Sequence, residues 1–424
     1  MRDVSVATET ALLLLQRAIA PAPSAMAEGK LDATTVVSGW RLVLLSISTI
    51  VIAAALAAAA PDAPAASPAP AAPAPDGPFE QVGRVEGGVP RHSSPFDAGG
   101  AAFVTATKEG ARVWDSATLK PLTQPLPHEH VWYARLAAGG KTLFTGGPRD
   151  VRVWDVATSK PLSVTRVARE TNSDFDVSPD GSLFTAIDGA GGRTVAVWRT
   201  GEGRPDLLLR HDWLVASAAF DPAGKRIVTH EKGPGGGCFH VWSAETGERL
   251  YSIGSDDVYS TPGRARFDPE GKRLLIARWS GFIVVDAETG KPLVDVRDDQ
   301  PLVNTGQIRF SGDAKRVTVA MLNWNEFEAV RVYDAATGKL QREFGTDMYD
   351  CQVCPGGRWA WCNTIGPPPS VQQVWDLTTG SKVQTIKQSG EAAMSPDGST
   401  VLVTTQVGFN DHATTVWRLR PANK

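Results

Sequence analysis

Arg264-Ala265-Arg266-Phe267, Asp268-Pro269-Glu270-Gly271, Arg273-Leu274-Leu275-Ile276-Ala277, Phe282-Ile283-Val284-Val285 and Asp286-Ala287-Glu288-Thr289-Gly290-Lys291-Pro292-Leu293 succeed one another in one short stretch of chain. Their apolar runs are short, alternating and rich in β-branched residues, which favours strands over helix. The Asp-Pro-x-Gly cluster between the first two runs is turn chemistry: Pro presets φ, Asp bonds the local backbone and Gly accepts positive φ. The unit therefore reads as strand, tight turn, strand, variable loop, strand, Thr-Gly turn, strand.

The same unit recurs along most of the chain. A mark of the Val-Trp-Asp type falls at Trp114, Trp154, Trp198, Trp242, Val285, Tyr333, Trp375 and Trp417, at spacings of 40, 44, 44, 43, 48, 42 and 42 residues. Periods of this length belong to propellers and solenoids built from one supersecondary unit. Ser178-Pro179-Asp180-Gly181, Asp221-Pro222-Ala223-Gly224 and Ser395-Pro396-Asp397-Gly398 repeat the turn, and the cores of the copies centre on Phe103, Phe144, Phe184, Ile227, Leu275, Val317, Trp361 and Leu402. The expected fold is all-β, an eight-bladed β-propeller, with seven blades plus a degenerate copy as the alternative. The last copy stops one strand short, after Thr415-Val416-Trp417-Arg418-Leu419. Phe79-Glu80-Gln81-Val82-Gly83-Arg84-Val85 has the alternation of an unpaired outer strand, and pairing it there would close the ring and remove an exposed edge.

With Val-Trp-Asp and Ser-Pro-Asp-Gly in register, residues 79–424 resemble the WD40 repeat family, in the divergent form of bacterial WD40-like proteins that serve as binding scaffolds. His211-Asp212-Trp213-Leu214-Val215-Ala216-Ser217-Ala218-Ala219-Phe220-Asp221-Pro222 matches the family pattern most closely, and His128 offers a second candidate histidine. Elsewhere the Gly-His opening is missing. The family's His-Ser/Thr-Asp-Trp hydrogen-bond network is then expected to be mostly broken and blade cohesion apolar. The Asp-x-x-Thr-Gly-Lys turns also resemble quinoprotein-type propellers, but those place tryptophan after the turn, where this chain has Val294 or Gln341.

With 43 Lys plus Arg against 46 Asp plus Glu, the chain is too near balance for a general nucleic-acid binder. Residues 1–40 read as a flexible segment. Within 41–60, Leu42 to Ala60 form 19 uncharged residues, long enough to cross a bilayer as a helix. Lys30 and Arg41 precede it and no cation follows until Arg84, which places the N-terminus in the cytoplasm and the propeller outside. A cleaved signal peptide is the alternative, because Ala57 to Ala60 satisfy an Ala-x-Ala pattern and the product would be secreted or periplasmic. Residues 61–78 carry seven prolines and read as an extended spacer.

Few residues point to chemistry. Cys351 and Cys354 spell C-x-x-C, yet the second pair that zinc would need is absent. Repeat alignment sets Cys351 with Ala265 and Cys362 with Ile276. Small buried residues are the first reading, and a Cys351–Cys362 cross-strand disulfide is the alternative in an oxidising compartment. His128 and His130 read as a loop pair rather than metal ligands. No nucleophile elbow, zinc-protease, phosphate-loop or dinucleotide fingerprint occurs, so no cofactor, metal or catalytic residue is assigned.

The variable loop between second and third strands expands at Asp188–Gly192, Glu231–Cys238, Asn323–Glu328, Ile365–Ser370 and Val407–His412. In a WD40-like ring these project from one face, and loops held by a scaffold carry function. Trp324, Phe327, Pro368, Phe409 and His412 are the candidate binding residues, because exposed aromatics among polar residues suit anchors for a protein or peptide. Trp279 is a weaker member of the set. The expected function is a non-enzymatic scaffold; the alternative is a propeller enzyme, quinoprotein-like or hydrolase-like, with its site at the central channel.

Overall fold

A computed structural model describes residues 77–90, 95–147, 150–167, 175–188, 191–233, 236–255, 265–278, 281–297, 308–322, 327–344, 348–354, 357–364, 371–407 and 411–421. The chain divides into Met1–Ala72 and Pro73–Lys424, and every described residue belongs to the second unit. The segments read as 1–40 and 41–60, and nearly all of 61–78, lie outside the described residues. Among the described residues no helix is long and apolar enough to cross a membrane.

Blade five shows how the repeat folds. Ala265–Phe267, Arg273–Arg278, Gly281–Asp286 and Pro292–Arg297 pair antiparallel in chain order, with Arg266 opposite Leu275, Leu274 opposite Val285 and Val284 opposite Val294. Eight sheets form among the described residues, seven of four strands and one of three, so the eight-bladed reading holds over seven. All eight core centres read from the sequence sit on second strands and are at most 1% exposed. The mark residues lie on the third strands, each one opposite the second strand of its own blade.

The turns explain the fixed spacing. In five blades the register slips immediately before the mark, between Val153 and Trp154, Val241 and Trp242, Val284 and Val285, Val332 and Tyr333, and Val374 and Trp375. Such a bulge needs a residue with positive φ after the turn, supplied by Gly290 at 72° and Gly338 at 71°. The aspartate following the mark organises the turn. The Oδ1 atoms of Asp155, Asp286 and Asp334 accept both the backbone N–H and the hydroxyl of Thr158, Thr289 and Thr337. These threonine bonds hold all three carboxyls below the usual carboxylate range.

The ring closes as the alternation of its first strand implied. Phe79–Glu86 pairs antiparallel with His412–Leu419 and becomes the outer strand of blade eight. Gln384 holds its start by donating to Phe79 O at 2.8 Å and accepting from Phe79 N at 3.1 Å. Blade one departs from the repeat: among the described residues it has three strands, Ala102–Thr107, Gly110–Asp115 and Leu126–Pro127. Two isolated bridges, Gly88 to Ala106 and Phe96 to Phe103, occupy the place of its first strand.

The apolar core is divided among the interfaces between blades. Phe144 and Tyr133 of blade two pack with Phe184 and Trp198 of blade three, and Val85, Leu402 and Val416 of blade eight pack with Phe103 and Trp114 of blade one. Equivalent clusters fill the other interfaces. Cohesion is therefore apolar, as expected, but arginine latches add to it. Arg226 of blade four binds Asp221 Oδ2 through Nε at 3.0 Å and donates across the interface to Gly271 O at 2.5 Å and Ala287 O at 2.6 Å. Arg273 repeats this from blade five, binding Asp268 and donating to Ala314 O and Ala335 O of blade six. Arg418 of blade eight donates to Ser116 O of blade one at 2.6 Å, latching the closure itself.

Two readings of local structure are corrected. Glu231–Cys238 is not an expanded loop, because Glu231 pairs with Cys238, Lys232 with Gly237 and Gly233 with Gly236, extending a hairpin. Its glycines mislead because they resemble loop composition while tolerating strand pairing. Cys351 and Cys362 are not independent small residues: they stand directly opposite one another, Cα atoms 4.1 Å apart, and form a disulfide. Cys354, in the turn, is free and buried. The bridge closes a short loop, and cross-linking it is worth up to about 3 kcal/mol through the unfolded chain. Unfolding in dithiothreitol should lower the melting temperature by several degrees, and Cys351→Ala with Cys362→Ala should reproduce the loss without reductant. A melting temperature indifferent to reductant contradicts the bridge.

Candidate binding face and the cleft at the ring closure

The antiparallel order sends the second-to-third-strand hairpins and the links between blades to one face, with the Pro-Asp-Gly and Thr-Gly turns on the other. Of the anchors read on the loop face, Trp324, Pro368 and Phe409 lie outside the described residues, as does Trp279. Phe327 is not a loop residue; it begins the strand Phe327–Asp334, opposite Leu322. His412 also begins a strand, opposite Gln406, and is exposed. The structure thus places His412 alone of the five in a described hollow.

That hollow is a cleft of about 1110 Å³ running from blade eight across blade one to the link into blade two. Its floor is where the first and last strands of the ring meet. Gly87 N donates to His412 O at 3.0 Å, Thr414 Oγ1 donates to Gly87 O at 2.8 Å, and Val89 N donates to Thr404 Oγ1 at 3.0 Å. A Cβ on Gly88 would come within 3.0 Å of both His412 and Thr404, so glycine permits this close approach. One wall is Arg112, ion-paired with Glu86 and lying 5.5 Å from the centroid of the Trp114 ring. Trp132, half-buried, forms part of the far wall. Glu86, Glu109, Glu391 and Asp411 line the cleft against Lys108 and Arg112 as its cations, leaving an acidic excess. A smaller hollow of about 520 Å³ on the turn face is lined by Asp268, Arg273 and Asp334, which the latches and turns already engage.

Sequence reasoning missed this cleft because its walls are about 300 residues apart and meet only through ring closure. It also underestimated the polar networks beneath the loop face. In blade two the network is complete: Trp154 Nε1 donates to Thr145 Oγ1 at 2.9 Å, while His128 Nδ1 lies 2.7 Å from Thr145 Oγ1 and Nε2 3.1 Å from Asp150 Oδ1. His128 is therefore a core residue, and burial holds its imidazole below the usual histidine range. Blade four keeps the histidine, threonine and tryptophan, with His211 Nε2 2.8 Å and Trp242 Nε1 2.9 Å from Thr229 Oγ1. Blade eight substitutes Gln388, which donates to Thr405 Oγ1 at 2.9 Å and accepts from Trp417 Nε1 at 3.4 Å. A threonine nine residues before Trp114 and Trp154 was the available signal. Among the described residues, no group of three or more His, Cys, Asp or Glu side chains is arranged to hold a metal ion.

Sheets of antiparallel strands arranged as blades and a ring closed by its own first strand define an eight-bladed β-propeller, and tryptophans bonded to threonines one strand inward give its repeats a resemblance to the WD40 pattern. No family model matches the chain, and no curated protein matches it. Among solved structures, it is similar to the crystal structure of a eukaryotic initiation factor at 17% identity and a TM-score of 0.57, over 77% of this chain and 90% of that one. It is also similar to the Cps50 (Swd1) β-propeller domain of Myceliophteria thermophila, at 14% identity and a TM-score of 0.49, over 70% of this chain and 99% of that one. At 17% identity the first likeness establishes the fold alone.

Proposed function

We propose that the chain is a binding scaffold that takes a protein or peptide on its loop face, seated at the ring-closure cleft. The observation carrying this reading is the cleft itself. It spans three blades, its rim is built from exposed polar side chains, and its carboxylates outnumber its cations. Such a groove favours an extended segment bearing lysine or arginine, which would exchange water for the carboxylates of Glu109, Glu391 and Asp411. Binding at this face needs no cofactor and no bond-making step. Trp324, Pro368 and Phe409, with Phe327 at the head of its strand, extend the reading to blades six to eight, and His412 is the residue shared between that set and the cleft. A leader at residues 42–60, retained or cleaved, would present this face outside the cytoplasm.

An array of extended peptides of graded charge, read by fluorescence anisotropy with the full chain, tests this. Basic peptides should bind and acidic ones should not. Glu109→Lys with Glu391→Lys and Asp411→Lys should weaken the basic set at least tenfold, with unchanged thermal stability. Equal binding by that variant and by wild type overturns the cleft assignment. Loss of binding only on replacing Trp324, Phe327 and Phe409 with alanine would move the site to blades six to eight.

A further inference from the structure

The hairpin that sequence composition had presented as a loop brings together a constellation distant from the cleft. On one side of blade four the strands Arg226–Gly233, Gly236–Ser243 and Arg249–Ser255 set Glu231 opposite Cys238, and His240 opposite both Thr229 and Ser252. His240 Nε2 lies 2.7 Å from Glu231 Oε2, and its Nδ1 lies 2.8 Å from Ser252 Oγ. A carboxylate on Nε2 keeps the proton on that nitrogen and leaves the Nδ1 lone pair facing the hydroxyl. Imidazole and carboxylate are each 5% exposed, whereas Ser252, on the outermost strand, is exposed. A buried acid, a buried base it orients and an accessible hydroxyl on the free nitrogen satisfy the distance test for a nucleophilic triad.

The surroundings admit a substrate. Ser252 is exposed, and a Cβ placed on Gly254, two residues further along the strand, would meet nothing within 4 Å, so this stretch of the outer strand is open. Arg249 stands opposite Trp242 on the same face, its guanidinium carbon 5.9 Å from the indole centroid, and supplies positive charge to that side of the sheet. Cys238 Sγ is 3.9 Å from the same Nδ1 and half-buried. Burial, followed by the Glu231 charge, pushes its thiol pKa up, so the sulfur is the weaker claimant for the base.

We propose that Ser252, His240 and Glu231 form a nucleophile, base and orienting acid that accept the acyl group of a small ester, with Arg249 as the nearby cation. Ser252 Oγ forms a bond to the ester carbonyl carbon as its proton passes to His240 Nδ1, and the carbonyl electron pair moves onto oxygen. The pair returns, the bond to the alcohol oxygen breaks, and that oxygen takes the proton from Nδ1. Water repeats the sequence on the acyl-serine, releasing the carboxylic acid and restoring the hydroxyl. Glu231 acts through His240 and is a positioning residue.

Full-length protein treated with a fluorophosphonate and digested for peptide mapping provides the test, alongside p-nitrophenyl acetate turnover. One serine, Ser252, should carry the label, and Ser252→Ala should abolish labelling and turnover while leaving the melting temperature and peptide binding at the cleft unchanged. Glu231→Gln should slow acylation at least tenfold, and Glu231→Asp should recover part of it. Label spread evenly over exposed serines, label on Cys238, or turnover unchanged in Ser252→Ala overturns the proposal. Failure here leaves the cleft reading intact, since the two are read by different probes.

Discussion

Phe79→Ala is expected to destabilise the propeller by about 3–5 kcal/mol and to make it aggregate at concentrations where the wild type does not. Phe79 is fully buried, its ring 5.2 Å from Trp361 in an edge-on contact, within a cluster that includes Cys354, Val374, Ile386, Val401 and Trp417. Truncation removes that contact and leaves a cavity that the rigid blades on either side cannot collapse into. The cost reaches beyond packing. Phe79 is the first residue of the strand that covers His412–Leu419, and Gln384 clamps its backbone rather than its side chain. Weakening the anchor therefore raises the population in which the closing strand detaches and the edge of blade eight is exposed. Urea titration gives the stability loss and light scattering gives the association. Val82→Ala, a half-buried position on the same strand, should produce a much smaller loss. If both substitutions cost the same, Phe79 is not the anchor.

How far the sequence carries depends on how local each feature is. Blade number, turn positions, core centres and the closing strand follow from period and alternation, which need only neighbours within one repeat. The opposition of Cys351 and Cys362 was contained in the alignment with Ala265 and Ile276, a directly paired couple. Residue size argued for two buried thiols, and register decided for a bond. Features that need two distant segments were not legible. Arg226 and Arg273 are ordinary strand-entry arginines until the next blade's carbonyls come within reach. The cleft joins residues near Gly87 to those near His412, and its position cannot be read from either. Of the candidate anchors, Trp324, Pro368 and Phe409 lie outside the described residues, and Phe327 and His412 each begin a strand, because pairing with Leu322 and Gln406 outweighs the polar residues just before them.

Two histidines of blade four should make stability fall with acid well before the carboxylates do. His230 is 1% exposed, stacked on Phe239 with ring centroids 4.4 Å apart, and among the described residues neither of its nitrogens has a hydrogen-bond partner. Burial lowers its pKa to about 4. His211 is lowered to about 4 as well, first by burial and then by the neighbouring His240. In the unfolded chain both titrate near 6.5. Below that pH the unfolded state takes up protons that the folded state declines, so the stability is complete above about 6.5 and is lost as pH falls toward about 4. For His230 the full effect is on the order of 3 kcal/mol. The carboxyls of Asp115, Asp180, Asp334 and Asp397 are held below 3.8, so their contribution disappears only beneath that value. Urea midpoints at pH 7.5, 5.5 and 4.5 should therefore decline steadily in the wild type. His230→Leu removes the titrating group and two unsatisfied nitrogens together. It should be the more stable protein at pH 7.5, and its decline between pH 6.5 and 4 should be shallower, with His211 and His128 left to titrate. A variant that loses stability as steeply as the wild type would assign the acid sensitivity to other groups.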